Sequence, residues 1–327
     1  MEKLLTIAIP TYNREELLQR VLQSIYKQSG INEIEVLVSD NASEDNTRNI
    51  IKSFPNIVYI RNKENIGSDR NFLQCYRKAT GKYIWLVGSD DVIIDGALRE
   101  ILDFLKLSSN KSSIIFLNHI FFRGKFNDEK RYSSFLNSNY QNKIINDRYQ
   151  FIENAKYQLT YMSSFLLKRE AFYNVNNPEK YIGTLFIHTC IAFEATKDKD
   201  CEFGIIYKPC IAQDLSPGNS GFSSSKNIIK VYEIFGKKEN FVLCNVASHY
   251  GYNQRQMNKY HIKFLCENWP KTVLSMKAQN IPGWKESFIE YGYPILKHSV
   301  RAWITIIIPA AVIPQKIVAL IRNIKRK

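Results

Sequence analysis

The chain has 327 residues, of which 45% are hydrophobic and 23% charged, and this composition excludes an intrinsically disordered protein. It is too long for one small domain and long enough to bury a large core. The formal net charge of +14 points to an acidic partner. Six cysteines without a Cys-X-X-Cys pair argue against a zinc site or a disulfide framework and indicate reduced thiols in the cytoplasm. The apolar run at residues 4–9 is too short for a signal peptide.

Four apolar segments of strand length follow one another along the first part of the chain, at residues 4–9, 34–39, 57–60 and 83–87. Each is followed by a polar loop and then by a helical pattern. This alternation predicts an α/β fold with a Rossmann-like, mostly parallel sheet flanked by helices. We expect all four loops at one edge of the sheet, where open α/β folds bind their ligands.

The fourth apolar segment stops at two adjacent carboxylates, Asp90 and Asp91. Successive side chains of an extended chain point to opposite sides, so the two acids are expected to do different jobs. Carboxylate oxygens suit a hard divalent cation that carries a diphosphate, and this role is open to one of the two acids. The alternative is a solvated turn, because adjacent acids are common in surface turns.

The loops after these strands contain four short motifs in order: Ile-Pro-Thr-Tyr-Asn-Arg at 9–14, Ser-Asp-Asn-Ala-Ser at 39–43, Asn-Ile-Gly at 65–67 and Ser-Asp-Asp at 89–91. Together they resemble the family 2 glycosyltransferases of GT-A fold. The resemblance is strong over the first third of the chain and weaker up to residue 215. It implies an inverting transfer of a sugar from a nucleotide-diphosphate donor.

The resemblance also implies roles for individual residues. Asp90 would bind the Mg²⁺ or Mn²⁺ ion that holds the donor diphosphate. Pro10, Thr11 and Asp40 would contact the base and the ribose, and Arg70 a phosphate. The full set of implied donor-binding residues is Pro10, Thr11, Asp40, Arg70, Ser89 and Asp91. Many relatives have an acid at the position of Gly88, and its absence here leaves open how the ribose is held and which of the two aspartates takes the metal.

The catalytic base is the least defined part of the site. Relatives usually have a Glu-Asp pair where this chain has a stretch without acids around His188. An unperturbed imidazole titrates near 6.5, so His188 is our first candidate for the base. Glu194 and Asp198, further along the chain, are the alternatives. The other interpretation is that His188 is a packing residue on an apolar helix.

The remaining chain predicts two further regions after a catalytic domain at residues 1–215. Residues 216–296 begin with a flexible segment and continue as a helical domain. Residues 297–327 combine an apolar stretch, too short and too proline-interrupted to span a bilayer, with a basic fringe. This tail is typical of an element bound to an anionic membrane surface, although a core helix or an oligomer contact would have a similar sequence.

These features predict a bacterial glycosyltransferase at the inner face of the cytoplasmic membrane. Its donor would be a nucleotide sugar, most commonly a UDP-sugar in this family, and its acceptor a lipid-linked or cell-surface glycan. A nucleotidyltransferase is one alternative, but residues 9–14 contain no glycine for a phosphate loop. A non-catalytic protein that binds sugar nucleotides or an anionic polymer is another. No nucleic-acid recognition module is present, so we expect no nucleic acid partner.

Overall fold

The computed structural model describes residues 3–107, 111–127, 132–216, 232–279, 281–314 and 317. The chain divides into two compact units, Met1–Ser224 and Ser225–Lys327, which we call the first and second units. The division falls a little after the predicted boundary at residue 215. The flexible loop predicted from residue 216 lies largely outside the described residues.

The first unit is built on a nine-stranded sheet with the order β3-β2-β1-β4-β8-β6-β9-β5, in which β7 pairs with β9. The strands are β1 Leu5–Thr11, β2 Ile34–Asp40, β3 Ile57–Arg61, β4 Tyr83–Leu86, β5 Val92–Ile93, β6 Ile114–Phe122, β7 Lys143–Ile145, β8 Phe165–Lys168 and β9 Phe203–Asp214. The four strands predicted from apolar runs, β1 to β4, pair in parallel. β8 is antiparallel to both β4 and β6, so the sheet is mixed and mostly parallel in its first half.

Helices cover the sheet of the first unit: α1 Glu15–Tyr26, α2 Thr47–Lys52, α3 Ser68–Lys78, α4 Ala97–Lys106, α5 Arg148–Ala155, α6 Arg169–Tyr173 and α7 Ile187–Ala195. The apolar face of α1, with Leu18, Val21, Leu22 and Ile25, is fully buried against the strands. All residues of β1 are buried, as expected for a strand covered on both faces. The predicted α/β architecture is confirmed.

The second unit is helical, as predicted. Its α-helices are α8 Ala247–His249, α9 Gln254–Ala278, α10 Trp284–Ser287, α11 Tyr293–Leu296, α12 Val300–Ala302 and α13 Ile308–Val312, and π-helical turns lie at Tyr232–Lys238, Phe241–Val246, Phe288–Gly292 and Trp303–Ile307. One face of residues 300–312 joins the core of this unit through Ala302, Ile306 and Ile307. This part of the predicted tail, residues 300–312, therefore belongs to the second unit. Among the helices that the structure describes, none is both long and apolar enough to cross a bilayer.

Candidate active site

The carboxyl ends of β1, β2 and β4 form one edge of the sheet, which we call the rim. Thr11 and Asp40 are paired in register at the ends of β1 and β2, and Pro10 is paired with Ser39. The backbone N–H of Asn41 donates to the carbonyl oxygen of Thr11 at 2.9 Å and continues this pairing by one bond. Three of the predicted donor-binding residues, Pro10, Thr11 and Asp40, are therefore neighbours.

The carboxylate of Asp40 is buried and organises the loop that follows it. Oδ1 accepts a hydrogen bond from the Ser43 N–H at 2.8 Å, and Oδ2 accepts one from the Tyr59 hydroxyl at 2.7 Å. The Arg61 Nε lies 3.6 Å from Oδ2. Burial, followed by the hydrogen bond to Asp40, raises the pKa of Tyr59. Asp40 thus stabilises the turn at the rim, and its predicted contact with the donor would use the remaining lone pairs.

The side chain of Asn41 connects the end of β2 to the loop before α3. Its Oδ1 accepts hydrogen bonds from Asn62 Nδ2 and from the Ile66 N–H, both at 3.0 Å, and its Nδ2 donates to Asn65 Oδ1 at 2.7 Å. Asn65 Oδ1 also accepts from the Gly67 N–H at 2.9 Å. Gly67 has φ +84°, a conformation that favours glycine. The Asn-Ile-Gly motif is therefore explained by loop geometry.

Asp90 lies in a tight turn after β4, closed by the Asp91 N–H donating to the Gly88 carbonyl at 3.1 Å. The expectation of an extended chain at the two acids is therefore wrong, although their environments differ as expected. The Asp90 side chain is 15% exposed, and its Oδ2 lies 3.5 Å from Nη1 of Arg14. Arg20 Nη2 donates to the carbonyl oxygen of Asp90. Asp90 thus presents a carboxylate at the rim next to a cation.

Asp91 is buried beneath the turn. Its Oδ2 accepts a hydrogen bond from Ser163 Oγ at 2.6 Å, and the same Oγ accepts from the Gly88 N–H at 2.9 Å. Burial, and then the charge of Asp90, raise the pKa of Asp91 to about 8, against the opposing hydrogen bond from Ser163. These contacts make Asp91 a support of the turn that carries Asp90. Ser89 is buried in the same turn.

Position 88 is glycine in this chain, where an Asp-X-Asp pattern would have an acid. A Cβ atom added at this position would lie 2.7 Å from Asp91 Oδ2 and 2.9 Å from Asp90 Oδ1. Both carboxylates therefore fold back over position 88, and a side chain there would displace them. The turn therefore accommodates glycine at position 88, and a larger residue would require one or both carboxylates to move.

A divalent cation fits the chemistry of Asp90. Among the described residues, no group of three or more His, Cys, Asp and Glu side chains could hold a metal by itself. Mg²⁺, however, is commonly bound by one or two carboxylates together with phosphate oxygens of the substrate and water. The partly exposed carboxylate of Asp90, with its loop held from below by Asp91 and Ser163, suits such a shared site.

Three charged residues near Asp90 were not singled out from the sequence. Arg14 ends the first motif and begins the turn into α1, which is a signal that could have identified it. Arg20 bridges the Asp90 carbonyl and the Asp214 carboxylate, with its Nη2 at 2.8 Å from Asp214 Oδ2. Asp214 is the last residue of β9. Pairing of β9 with β6 and β5 brings Asp214 next to Arg20. No local sequence pattern predicts that pairing.

Arg70 is exposed in the first turn of α3, as expected for a residue that could contact a phosphate. Its neighbour Asp69 was not predicted and is buried. Asp69 Oδ2 accepts hydrogen bonds from the N–H groups of Gly183 at 2.7 Å and Leu185 at 3.0 Å. Asp69 therefore fastens the loop before α7 to the start of α3.

His188 lies in the interior, on α7. The geometry fits a donor at Nε2 to the carbonyl oxygen of Thr160, at 3.0 Å. The ring packs among Phe72, Phe165 and Phe186, with centroids 5.9, 6.2 and 6.3 Å away. Burial lowers the pKa of His188 to about 4. These are the contacts of a packing residue, as in the second interpretation of the sequence.

The two alternative bases also lie on or just after α7, whereas Asp40 and Asp90 follow β2 and β4. Glu194 is buried and accepts hydrogen bonds from the Tyr181 hydroxyl at 2.6 Å and the Asn176 N–H at 3.0 Å, with Lys180 Nζ at 2.8 Å. Asp198 is exposed in the turn after the helix. The contacts of Glu194 are structural, and the identity of the base stays a prediction.

We expect His188→Gln to make the folded protein less sensitive to acid. An unfolded histidine takes up a proton below about pH 6.5, whereas the buried ring does so only near pH 4. The stability that neutral His188 provides is therefore complete above pH 6.5 and is lost as the pH falls towards 4. Between pH 7 and pH 5 the loss would be up to about 2 kcal/mol. Glutamine can still donate to Thr160 but takes up no proton.

Thermal unfolding at the two pH values measures this difference. The variant should lose less stability than the wild type on going to pH 5, while His119, whose pKa burial also lowers to about 4, keeps its own contribution in both proteins. Equal losses would contradict the packing role. A fall in turnover of at least about a hundredfold in the same variant would instead support His188 as the base.

The sequence of the chain is similar to those of several curated proteins. Among curated relatives, the abequosyltransferase RfbV of Salmonella typhimurium is 31% identical over 223 residues, covering 64% of this chain and 66% of the relative. The minor teichoic acid biosynthesis protein GgaB of Bacillus subtilis is 26% identical, covering 53% of this chain and 19% of the relative. The chain thus spans less than two thirds of the length of either protein.

Solved structures show the same fold at low sequence identity. S. aureus TarS 1–349, in complex with UDP-GlcNAc, superposes with a TM-score of 0.62 at 14% identity and covers 99% of this chain and 91% of its own. The mannosyltransferase PcManGT from Pyrobaculum calidifontis, in complex with GDP-Man and Mn²⁺, gives a TM-score of 0.50 at 15% identity, covering 100% and 88%. The predicted GT-A fold is confirmed. The glycosyl transferase family 2 model matches residues 6–175, more than half of the sequence, and the chain belongs to this family.

Proposed function

We propose that this glycosyltransferase moves a sugar, with inversion, from a nucleotide-diphosphate donor to a hydroxyl group of a lipid-linked or cell-surface glycan. The observation that carries the proposal is the Asp90 turn: a partly exposed carboxylate stands 3.5 Å from Arg14 at the same sheet edge as Thr11 and Asp40. Such an edge offers one surface for the base and ribose of the donor and another for its diphosphate.

Donor binding in this proposal uses the ends of three strands. Pro10, Thr11 and Asp40 contact the base and ribose. The Thr11 hydroxyl is buried and has no hydrogen-bond partner among the described residues. Asp91 supports the Asp90 turn through Ser163. The predicted donor contacts of Ser89 and Asp91 remain part of the proposal. Arg70 contacts a phosphate from the start of α3. A UDP-sugar is the proposed donor, and the TarS complex with UDP-GlcNAc is in keeping with it.

Charge on the leaving diphosphate is the main problem of the reaction. Asp90 would hold Mg²⁺ or Mn²⁺, which supplies positive charge to the diphosphate oxygens as the sugar leaves. Arg14, beside Asp90, adds a fixed cation at the same place. An inverting displacement needs no covalent intermediate, so the protein must otherwise supply only a base at the acceptor hydroxyl. His188, Glu194 and Asp198 remain the proposed candidates for that base.

The acceptor is proposed from the relatives. RfbV is named as an abequosyltransferase and GgaB as a protein of minor teichoic acid biosynthesis, and both names fit the assembly of bacterial surface polymers. The proposed place of work is the inner face of the cytoplasmic membrane, where nucleotide sugars and lipid-linked acceptors meet. The subtype of sugar transferred follows from neither name.

The test is a panel of nucleotide sugars scanned by thermal shift with and without Mn²⁺, followed by product analysis for the best binders. A metal-dependent shift together with release of nucleoside diphosphate supports the proposal. Release of pyrophosphate would identify a nucleotidyltransferase, and binding without turnover on any glycan acceptor would identify a non-catalytic binder.

Asp40→Ala tests the donor site separately. We expect it to weaken binding of the matching nucleoside diphosphate by about 1–3 kcal/mol, the cost of losing a recognition group. Tyr59→Phe is the matched control, because it removes one hydrogen bond to Asp40 and leaves the carboxylate in place. Calorimetry that finds unchanged affinity in Asp40→Ala, with a lowered melting temperature in both variants, would leave Asp40 with its turn-stabilising role alone.

A further inference from the structure

An apolar strip is exposed on the last helical segment of the second unit. Val300, Ile304 and Val312 are 76%, 64% and 70% exposed, and Trp303 and Ile308 lie between them with more than a third of their surface exposed. Val300, Ile304, Ile308 and Val312 are each four residues apart, and Trp303 is adjacent to Ile304, so the five lie along one side of the segment. We call the five residues the outer face.

The opposite side of the same segment is buried. Ala302, Ile306, Ile307 and Ala310 pack into the core of the second unit with Trp269 of α9. A helix that is apolar on both sides is normally covered on both sides, and exposed apolar patches mark interaction sites. We therefore expect a partner molecule or lipid to cover the outer face.

The surroundings of the outer face are basic. Lys297 and Arg301 are exposed at the start of the segment, and Trp303 is held in place by donation from its Nε1 to the Lys297 carbonyl at 2.7 Å. In the sequence, no acid follows Glu290. The cations after it are Lys297, Arg301, Lys316, Arg322, Lys325, Arg326 and Lys327.

We propose that the outer face inserts into the headgroup region of an anionic membrane, with the segment lying in the plane of the surface. An apolar strip that contains a tryptophan and is flanked by cations matches the chemistry of that interface. A second copy of the chain fits less well, because a twofold interface would bring Lys297 and Arg301 of both copies together, although Arg301 also lies 3.5 Å from Glu267. The proposal concerns attachment only, so it stands or falls separately from sugar transfer.

Flotation of the full chain with vesicles tests this attachment. Vesicles of phosphatidylcholine with phosphatidylglycerol should carry the protein at low salt, and vesicles of phosphatidylcholine alone should carry at least about tenfold less. Added salt should release it, because the cations attract the surface through a screened charge. Equal binding to both vesicles, or none to either, would overturn the proposal.

Variants of exposed residues locate the contact without disturbing the core. The double variant Ile304→Ser and Ile308→Ser should weaken binding at least about tenfold, since each isoleucine loses apolar contact. The matched control is Val58→Ser with Leu107→Ser, two exposed apolar residues of the first unit, and it should change binding less than twofold. Lys297→Gln should weaken binding about fivefold. Its control is Lys263→Gln, which replaces an exposed lysine on α9.

Sedimentation of the same variants tests the alternative, in which a second copy of the chain covers the outer face. A wild type that is monomeric at the concentrations used for flotation supports lipid as the partner. A wild-type dimer that becomes monomeric in the Ile304→Ser and Ile308→Ser variant would assign the outer face to a contact between copies and overturn the proposal. Circular dichroism should be unchanged in all variants, since each replaced side chain is exposed.

Discussion

Asp90→Asn should lower sugar transfer by at least about a thousandfold while changing the melting temperature little. The amide keeps the shape of the side chain but loses the charge that would hold a divalent cation, and in the proposed reaction that cation would stabilise the leaving diphosphate. The side chain is partly exposed and its ion contact with Arg14 is long, at 3.5 Å, so the fold does not depend on it. Steady-state transfer at saturating Mn²⁺ is the measurement.

Asp95→Asn is the matched control, because Asp95 is an exposed acid in the chain just after the same turn. It should retain near wild-type turnover. Binding of Mn²⁺ in the presence of nucleoside diphosphate, followed by electron paramagnetic resonance, should weaken in Asp90→Asn only. Near-normal turnover of Asp90→Asn would remove Asp90 from the metal site. Asp91→Ala should be milder, because Asp91 acts on the turn through Ser163 and Gly88.

The second large effect concerns stability. Glu194→Ala should lower the free energy of unfolding by about 3 kcal/mol, because it removes the acceptor of the Tyr181 hydroxyl and of the Asn176 N–H and the carboxylate beside Lys180. Chemical denaturation measures the loss. Glu194→Gln keeps the shape and one acceptor oxygen and should lose less.

Turnover per folded molecule decides whether Glu194 also acts in catalysis. We expect both Glu194 variants to keep it within a few-fold of the wild type, since three groups already occupy the carboxylate. A loss of about a hundredfold or more in Glu194→Gln, without a matching loss of stability, would make Glu194 the base.

The first half of the sheet could be predicted from the sequence because its signals are local. An apolar run buried on both faces reads directly as a parallel strand, and the polar residues after it must lie at the carboxyl edge. The antiparallel insertion of β8 between β4 and β6 could not be read in the same way, since pairing between distant segments leaves no period in either one. The same holds for Asp214, which reaches Arg20 from 194 residues away along the chain.

The location of His188, the first candidate for the base, could not be predicted for a different reason. The residues around His188 are apolar on every side, and such a stretch has no periodicity that separates an interior face from one that lines a cleft. Only the packing of Phe72, Phe165 and Phe186 around the ring, together with its bond to Thr160, places it in the interior. The turn at Asp90 and Asp91 is likewise held by a contact with Ser163, which is distant in the sequence. Its shape could therefore not be predicted from the local residues.

The amide network at the rim has a consequence for the conditions under which the enzyme can work. Asn41, Asn62 and Asn65 hold the loops after β2 and β3 through hydrogen bonds between neutral groups, and Ser39, Asn71 and Gln74 extend the same network below them. None of these groups gains or loses a proton in the physiological range, and salt does not screen their hydrogen bonds as it screens exposed ion pairs. The shape of the loops that this network holds should thus tolerate swings in acidity and ionic strength, which leaves the acidic groups and the base to set the pH profile of turnover.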